Sequence, residues 1–219
     1  MGLEVARTMY KTEQEDFWAG EFGDSYIERN KDYSVYVSKL AFFAEIFSKH
    51  FGKNDVKSVI EFGSNIGLNL KAIQTLNPVM DLAAIEINEK AVTGMKKHFG
   101  TSVKIYQDSI INYQVENTYD LSMICGVLIH INPDELQTVY EKLYESSNKY
   151  ILISEYYNPT PVEVSYRGNL NRLFKRDFAG EMMDKYPDLK LVDYGFRYHR
   201  DNMFPMDDST WFILEKGVR

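Results

Sequence analysis

The chain has 219 residues, a length that suits one domain with a full core, and its 44% hydrophobic content is normal for a globular protein. A net charge of -7 at pH 7 argues against a nucleic-acid footprint, which is usually a basic patch, although it leaves room for a locally basic pocket. The single Cys125 rules out an intramolecular disulfide, no thiol and histidine set has zinc-finger spacing, and neither a membrane span of roughly 18 apolar residues nor a signal-peptide core is present, so the expectation is a cytoplasmic protein without metal.

In chain order, residues 1–11 read as a loose end. Thr12 followed by Glu15 fits a capping box that opens a short helix, which Gly20 and Gly23 are expected to break before another helical turn over 24–30. Phe17, Trp18, Phe22 and Tyr26 give this stretch an aromatic surface without long periodicity, fitting either a flap on the sheet edge or a lid over a ligand. Val37, Leu40, Ala41, Ala44, Phe47 and Phe51 recur at spacings of three and four, the mark of an amphipathic helix, stopped by Gly52. Residues 1–51 are therefore expected to form a helical extension, and residues 52–219 the main domain.

From there strands and helices alternate. Val56 to Glu61 predicts the first strand, Ile66 to Leu76 its helix, Val79 to Ile87 the second strand and Asn88 to Phe99 its helix. Val103 to Tyr106 and Tyr119 to Cys125 predict strands three and four. A helix is then expected behind Asn132 as N-cap, with Pro133 at its first position and Glu135 completing a box. Tyr150 to Glu155 is the fifth strand. Residues 156–173 are too rich in proline and polar groups for regular structure and read as a loop across the ligand face, before a helix over 174–186. Leu189 to Tyr198 and Trp211 to Glu215 alternate apolar and polar residues and read as a closing antiparallel pair. The pattern implies an α/β fold: a doubly wound, mostly parallel Rossmann-like sheet.

The chemistry gathers around Glu61-Phe62-Gly63-Ser64-Asn65-Ile66-Gly67, a strand end, a small-residue turn and a helix start. Ligands of such sheets bind outside the carboxyl ends of the strands, where strand order reverses. Glycines at 63 and 67 permit positive φ and keep side chains out of a ligand's way. The third glycine of a dinucleotide G-x-G-x-x-G is missing, and Glu61 would repel a pyrophosphate. The spacing E-x-G-x-N-x-G instead resembles motif I of the class I S-adenosylmethionine-dependent methyltransferases, with Asn65 in place of a glycine, a residue that tolerates the left-handed region. The cofactor's ammonium and sulfonium would suit an acid at Glu61. Glu86 and Ile87 end strand two, where a carboxylate can accept both ribose hydroxyls. Asp108 and Ser109 follow strand three and can meet the adenine, and Cys125 and Gly126 follow strand four beside the cofactor's tail. His130, with an ordinary pKa near 6.5, is the leading general base, though a structural histidine or a simple cofactor contact are its alternatives. Trp18, Tyr26 and Arg29 could close over the cofactor, Arg29 taking its carboxylate. Tyr157, Arg167 and Arg172, with Tyr198 and Arg200, form two polar clusters that fit a small anionic acceptor. An NAD-dependent oxidoreductase and a non-catalytic nucleotide-binding module remain rival readings of the same fold.

A closer likeness runs through F-W-A-G-E-F-G-D-S-Y-I-E-R-N, E-F-G-S-N-I-G-L-N-L, G-V-L-I-H-I-N-P-D-E-L, R-G-N-L-N-R-L-F-K-R-D-F-A-G-E and D-S-T-W-F-I-L-E-K. These resemble the pseudaminic acid biosynthesis-associated methylase family over nearly the whole chain. The resemblance implies a methyltransferase tied to nonulosonic acid or surface-glycan pathways, with a sugar acid or sugar nucleotide as acceptor, and leaves the acceptor's identity open.

Overall fold

The computed structural model describes residues 10–217 except Lys31 and Lys53. The loose end expected over 1–11 lies outside the described residues except for its last two. In chain order the elements are α1 (Glu13–Ala19), α2 (Glu21–Arg29), α3 (Tyr33–His50), β1 (Ser58–Phe62), α4 (Leu68–Leu76), β2 (Asp81–Glu86), α5 (Glu89–Phe99), β3 (Val103–Gln107) and β4 (Tyr119–Cys125). They continue with α6 (Leu136–Glu145), β5 (Ser147–Glu155), β6 (Val162–Glu163), β7 (Phe174–Lys175), α7 (Phe178–Lys185), β8 (Leu189–Phe196) and β9 (Thr210–Lys216).

Seven strands form one sheet in the order β3-β2-β1-β4-β5-β9-β8. The first five are parallel, and β9 runs antiparallel to both β5 and β8. Because side chains alternate across a strand, Val59, Leu82, Leu121, Met123 and Leu152 face a core with α3, α4 and α5, through Phe43, Ile46, Leu70, Ile73 and Met95. Ile60, Phe62, Ile85, Ile124 and Ile153 face the opposite core with α6 and α7, through Leu136, Tyr140, Leu143 and Met182. Full burial of each such side chain contributes about 1.5–3 kcal/mol. The described part of residues 1–51 is thus of two kinds. Helix α3 is built into the sheet's core, whereas α1 and α2 lie across the carboxyl ends of the strands.

The local signals act where their chemistry is self-contained. Thr12 and Glu15 form the reciprocal capping box, and Asn88 caps α5 by accepting the Ala91 N–H at 3.0 Å. Gly20 separates α1 from α2, but Gly23, expected as a second breaker, lies inside α2. A Cβ there would stand 1.9 Å from the Trp18 carbonyl oxygen, so close packing of α2 on α1 explains that glycine. The helix expected over 174–186 starts later. Phe174–Lys175 pairs with Val162–Glu163, and Asp177 caps α7 by accepting the Gly180 N–H at 2.9 Å. Asn132 does accept the Asp134 N–H, at the head of a 3-10 turn over Pro133–Glu135. Glu135 does not complete a box, because its carboxylate is paired with Lys11 at 2.7 Å.

Candidate functional site

A cavity of about 540 Å³ opens at the carboxyl ends of β1, β2, β4 and β5, beside the reversal of strand order between β1 and β4. The turn after β1 forms one wall. Gly63, Asn65 and Gly67 take φ of +75°, +48° and +77°, so the motif's glycine spacing and its asparagine are explained by backbone conformation. A Cβ on Gly63 would meet Val127 Cγ2 at 2.6 Å, and one on Gly67 would meet Phe99 Cε2 at the same distance. Tight packing therefore requires both glycines; Gly63 also lines the cavity, whereas Gly67 does not. Gly126, with φ +68° and no described residue within 4 Å of an added Cβ, leaves cavity space open.

Two buried acids close the floor. Glu61 accepts a 2.5 Å bond from Asn69 Nδ2, whose Oδ1 in turn accepts from Lys39 Nζ at 2.8 Å. Its second oxygen is buried without a partner among the described residues, and burial pushes the carboxyl up to about 7. Glu86 accepts the Asn65 N–H at 2.6 Å on one oxygen and the Asn88 N–H at 2.8 Å on the other, and burial raises its pKa against the pull of those bonds. Ser64, Ile87 and Ser109 line the same end. Asp108 does not: it is exposed, and its carboxylate turns back to the Ser109 N–H at 2.7 Å. Cys125 lines the cavity with its thiol pushed up by burial, which suits a wall rather than a nucleophile.

After β4 the chain makes a 3-10 turn over Leu128–His130. Glu155, at the end of β5, accepts the N–H groups of Val127 at 2.9 Å and Leu128 at 3.0 Å, with Ile129 at 3.5 Å. His130 is buried between the rings of Trp18 and Tyr166, with centroids 4.6 and 4.8 Å away. Its Nδ1 donates to the Arg172 carbonyl at 2.5 Å, which fixes the neutral tautomer with the lone pair on Nε2. Burial lowers its pKa to about 4, so the ordinary basicity expected of this histidine is not the one it has.

Helices α1 and α2 roof the cavity. Trp18, Tyr26 and Arg29 line it, with the Arg29 guanidinium over the rings of Phe22 and Tyr26 at 5.3 and 5.7 Å. The roof is tied down at both ends. Asn88 donates to the Trp18 carbonyl and to Asp24, Lys90 pairs with Asp24, Glu15 bonds Ser109, and Gln14 reaches the Asn171 carbonyl at 3.1 Å. The two polar clusters expected to grip an acceptor are only partly assembled. Arg167 lines the cavity from a tight turn in which Tyr166 and Asn169 exchange backbone bonds, with positive φ at Arg167 and Gly168. Arg172 points the other way, its guanidinium on Phe17 and Glu13 while its carbonyl accepts from His130. Tyr157 and Arg200 are exposed outside the cavity, and Tyr198 lines a separate hollow of about 220 Å³ with Arg197.

Sequence reasoning passed over Lys39, Asn69 and Asp207 as parts of this wall, and read Glu155 only as a strand end, whereas Tyr156, at the head of the polar 156–172 segment, does line it. A charged residue ending a buried strand was the one available signal for Glu155, the same signal that marks Glu61 and Glu86. Burial raises the phenols of Tyr26, to about 12, and of Tyr156, so both remain O–H donors at neutral pH.

Strand order, the reversed β9 and the cavity's place define the Rossmann-like fold of the class I S-adenosylmethionine-dependent methyltransferases. No family model matches the chain, and no curated protein matches its sequence. Solved structures match its fold. A Leishmania major S-adenosylmethionine-dependent methyltransferase superposes with a TM-score of 0.70 at 15% identity, over 93% of this chain and 81% of that one. The plantazolicin methyltransferase BpumL, bound to a pentazolic desmethylplantazolicin analogue and S-adenosylhomocysteine, gives 0.66 at 14% identity over 93% and 95%. A Burkholderia thailandensis 1,6-didemethyltoxoflavin-N1-methyltransferase gives 0.67 at 14% identity over 94% and 87%.

Proposed function

We propose that this protein is an S-adenosylmethionine-dependent methyltransferase of the cytoplasm, acting on a small, anionic polar acceptor of nonulosonic acid or surface-glycan biosynthesis. One observation carries the reading: the buried, unpartnered oxygen of Glu61 at the head of the cavity. It would be satisfied by an ammonium group and would repel a pyrophosphate. When bound, the cofactor supplies a methyl group on a cationic sulfur. Glu61 would hold its ammonium, Glu86 its ribose hydroxyls, and Ser109 with the neighbouring backbone its adenine. Gly126 leaves room for its tail, and Trp18, Tyr26 and Arg29 exclude water above it, with Lys39 beside Glu61 as a second cation for its carboxylate.

The acceptor would enter between the Tyr166–Asn169 turn and Asp207, with Arg167 taking its anionic group and the phenols of Tyr26 and Tyr156 donating to its oxygens. His130 Nε2 would accept a hydrogen bond from the attacking amine or hydroxyl and so orient it in line with the methyl. With a pKa near 4, it would take up the proton only as the nucleophile becomes strongly acidic in the transition state. The proximity of aligned groups then does more of the work than basicity. Calorimetry with S-adenosylhomocysteine and NAD side by side tests the cofactor, and binding of NAD alone would overturn it. Incubation with methyl-labelled cofactor and a cell extract, followed by identification of the labelled metabolite, tests the acceptor. A labelled protein or nucleic acid would refute the small-molecule reading.

A further inference from the structure

We infer that Glu155 is the positioning residue of this site: a buried carboxylate that clamps the turn carrying His130 and thereby sets where Nε2 is presented. Three consecutive backbone N–H groups, of Val127, Leu128 and Ile129, point at its two oxygens, with the 2.9 and 3.0 Å bonds on one oxygen and the 3.5 Å contact on the other. Such N–H groups at the head of a short helical turn have no partner within the turn. They are normally met by a nearby Ser, Asp or Asn or by water, and here by a residue 26–28 positions away on the next strand. The Gly126 N–H is taken by the Ser154 carbonyl at 2.9 Å, so β5 holds four successive amides of this segment.

The clamp reaches both halves of the cavity. On one side it fixes Val127, whose methyl groups fill the space beside Gly63 in the turn after β1. On the other it fixes His130, whose N–H donates to the Val127 carbonyl at 2.8 Å and whose ring is held by the bond from Nδ1 to the Arg172 carbonyl and by packing between Trp18 and Tyr166. A buried carboxylate is costly unless its charge is met by donors, and its position at the cavity wall makes its ionisation sensitive to what the cavity holds. Burial pushes it up to about 7 even with the backbone donors in place. Protonation removes acceptor strength from the clamp. The turn should therefore be held tightly above neutral pH and loosen below it.

The role of the clamp in catalysis rests on the methyltransferase reading, but its test does not need a cofactor or an acceptor. Amide hydrogen exchange and the NMR titration of the His130 ring would be followed in the whole chain for wild type, Glu155→Gln and Glu155→Ala. In Glu155→Ala, exchange at residues 127–129 should accelerate at least tenfold, and the His130 midpoint should rise from about 4 toward the ordinary histidine value. Glu155→Gln, which keeps a carbonyl oxygen for Val127 and Leu128, should stay within threefold of wild type in exchange and, once the intrinsic base-catalysed rate is divided out, should lose the pH dependence of amide protection around neutrality. If Glu155→Ala does not fold, Glu155→Asp replaces it: the charge is kept, but the shorter side chain falls short of the amides and should exchange fast. Unchanged exchange and an unchanged His130 midpoint in the Ala or Asp variant would overturn the inference, as would a Gln variant no better than Ala. Calorimetry of wild type with S-adenosylhomocysteine separates the two failures, since absence of binding there would count against the methyltransferase reading and leave the clamp intact.

Discussion

The two halves of the cavity are built on different principles. The half under Glu61, Glu86 and Ser109 is made by the ends of neighbouring parallel strands and the turns that follow them, with positions fixed by the sheet register and by residues at positive φ. The half under Arg167, His130 and Asp207 is made by segments held together by contacts between residues far apart in sequence, such as the Gln14 side chain with the Asn171 carbonyl or the His130 ring with the Arg172 carbonyl. Sheet register fixes the first half, whereas the second depends on tethered loops, the segments of a fold that tolerate the most variation.

The largest effect expected from breaking this contrast is at the scaffold. Gly63→Val combines positive φ with a clash at 2.6 Å against Val127, and should cost about 3 kcal/mol or more of stability, read by urea unfolding. Gly126→Ala has the same kind of φ but no neighbour within 4 Å, so it should cost only about 1 kcal/mol of stability while obstructing the ligand. Equal destabilisation of the two would erase the distinction between a packing glycine and an access glycine.

Next come the acids of the scaffold half. Glu86→Ala should weaken S-adenosylhomocysteine by about 1.5–3 kcal/mol, the range for a charge-assisted hydrogen bond. Full affinity in a folded variant would remove Glu86 from the ribose. For Glu61, burial raises the folded pKa to about 7 from an ordinary 4.5. Binding of an ammonium needs the ionised form, so affinity should be flat above pH 7 and fall by up to about tenfold per unit below it. Glu61→Gln should bind weakly at all pH values without that slope. The same raised pKa means that Glu61 contributes stability to the empty protein as pH falls from about 7 to 4.5, because the folded state takes up the proton first.

His130 works in the opposite direction. Its pKa is lowered to about 4 from 6.5, so the unfolded chain takes up the proton first as pH falls below 6.5 and stability is lost down to about pH 4. His130→Phe should reduce that loss in urea titrations between pH 6.5 and 4, and an unchanged pH slope would place the histidine in solvent. The smallest effects belong to the tethers. Arg172→Ala removes a pair in which Glu13 is about half exposed while the Arg172 side chain is mostly buried against Phe17, and should cost about 1 kcal/mol. Arg167→Ala should leave stability and cofactor affinity near wild type and raise the acceptor KM. A large rise in KM for Arg172→Ala instead would show that its guanidinium swings into the cavity.

The alternation of apolar runs and amphipathic helices was enough to read the parallel sheet, its strand ends and the turn at residues 61–67. Each of those signals is local: a period of two or 3.6, a cap, a glycine at a left-handed position. The same locality made Glu61, Glu86 and Ser109 readable, since a strand end in this fold has one place to point. What lies on loops could not be read that way. Arg167 and Arg172 are equally polar and five positions apart, yet a tight turn aims one into the cavity while the bond from His130 to the Arg172 carbonyl leaves the other on Glu13. Gly23 resembles a helix breaker until α1 packs against it. Glu155 and Val127 are far apart in the text and touch only because β5 lies beside β4. Propensity and periodicity act over a few residues, so the sequence by itself determined the scaffold and the acids at its strand ends. Burial, long-range hydrogen bonds and the basicity of His130 depend on what the folded chain brings within a few ångströms, and only the tertiary structure decided them.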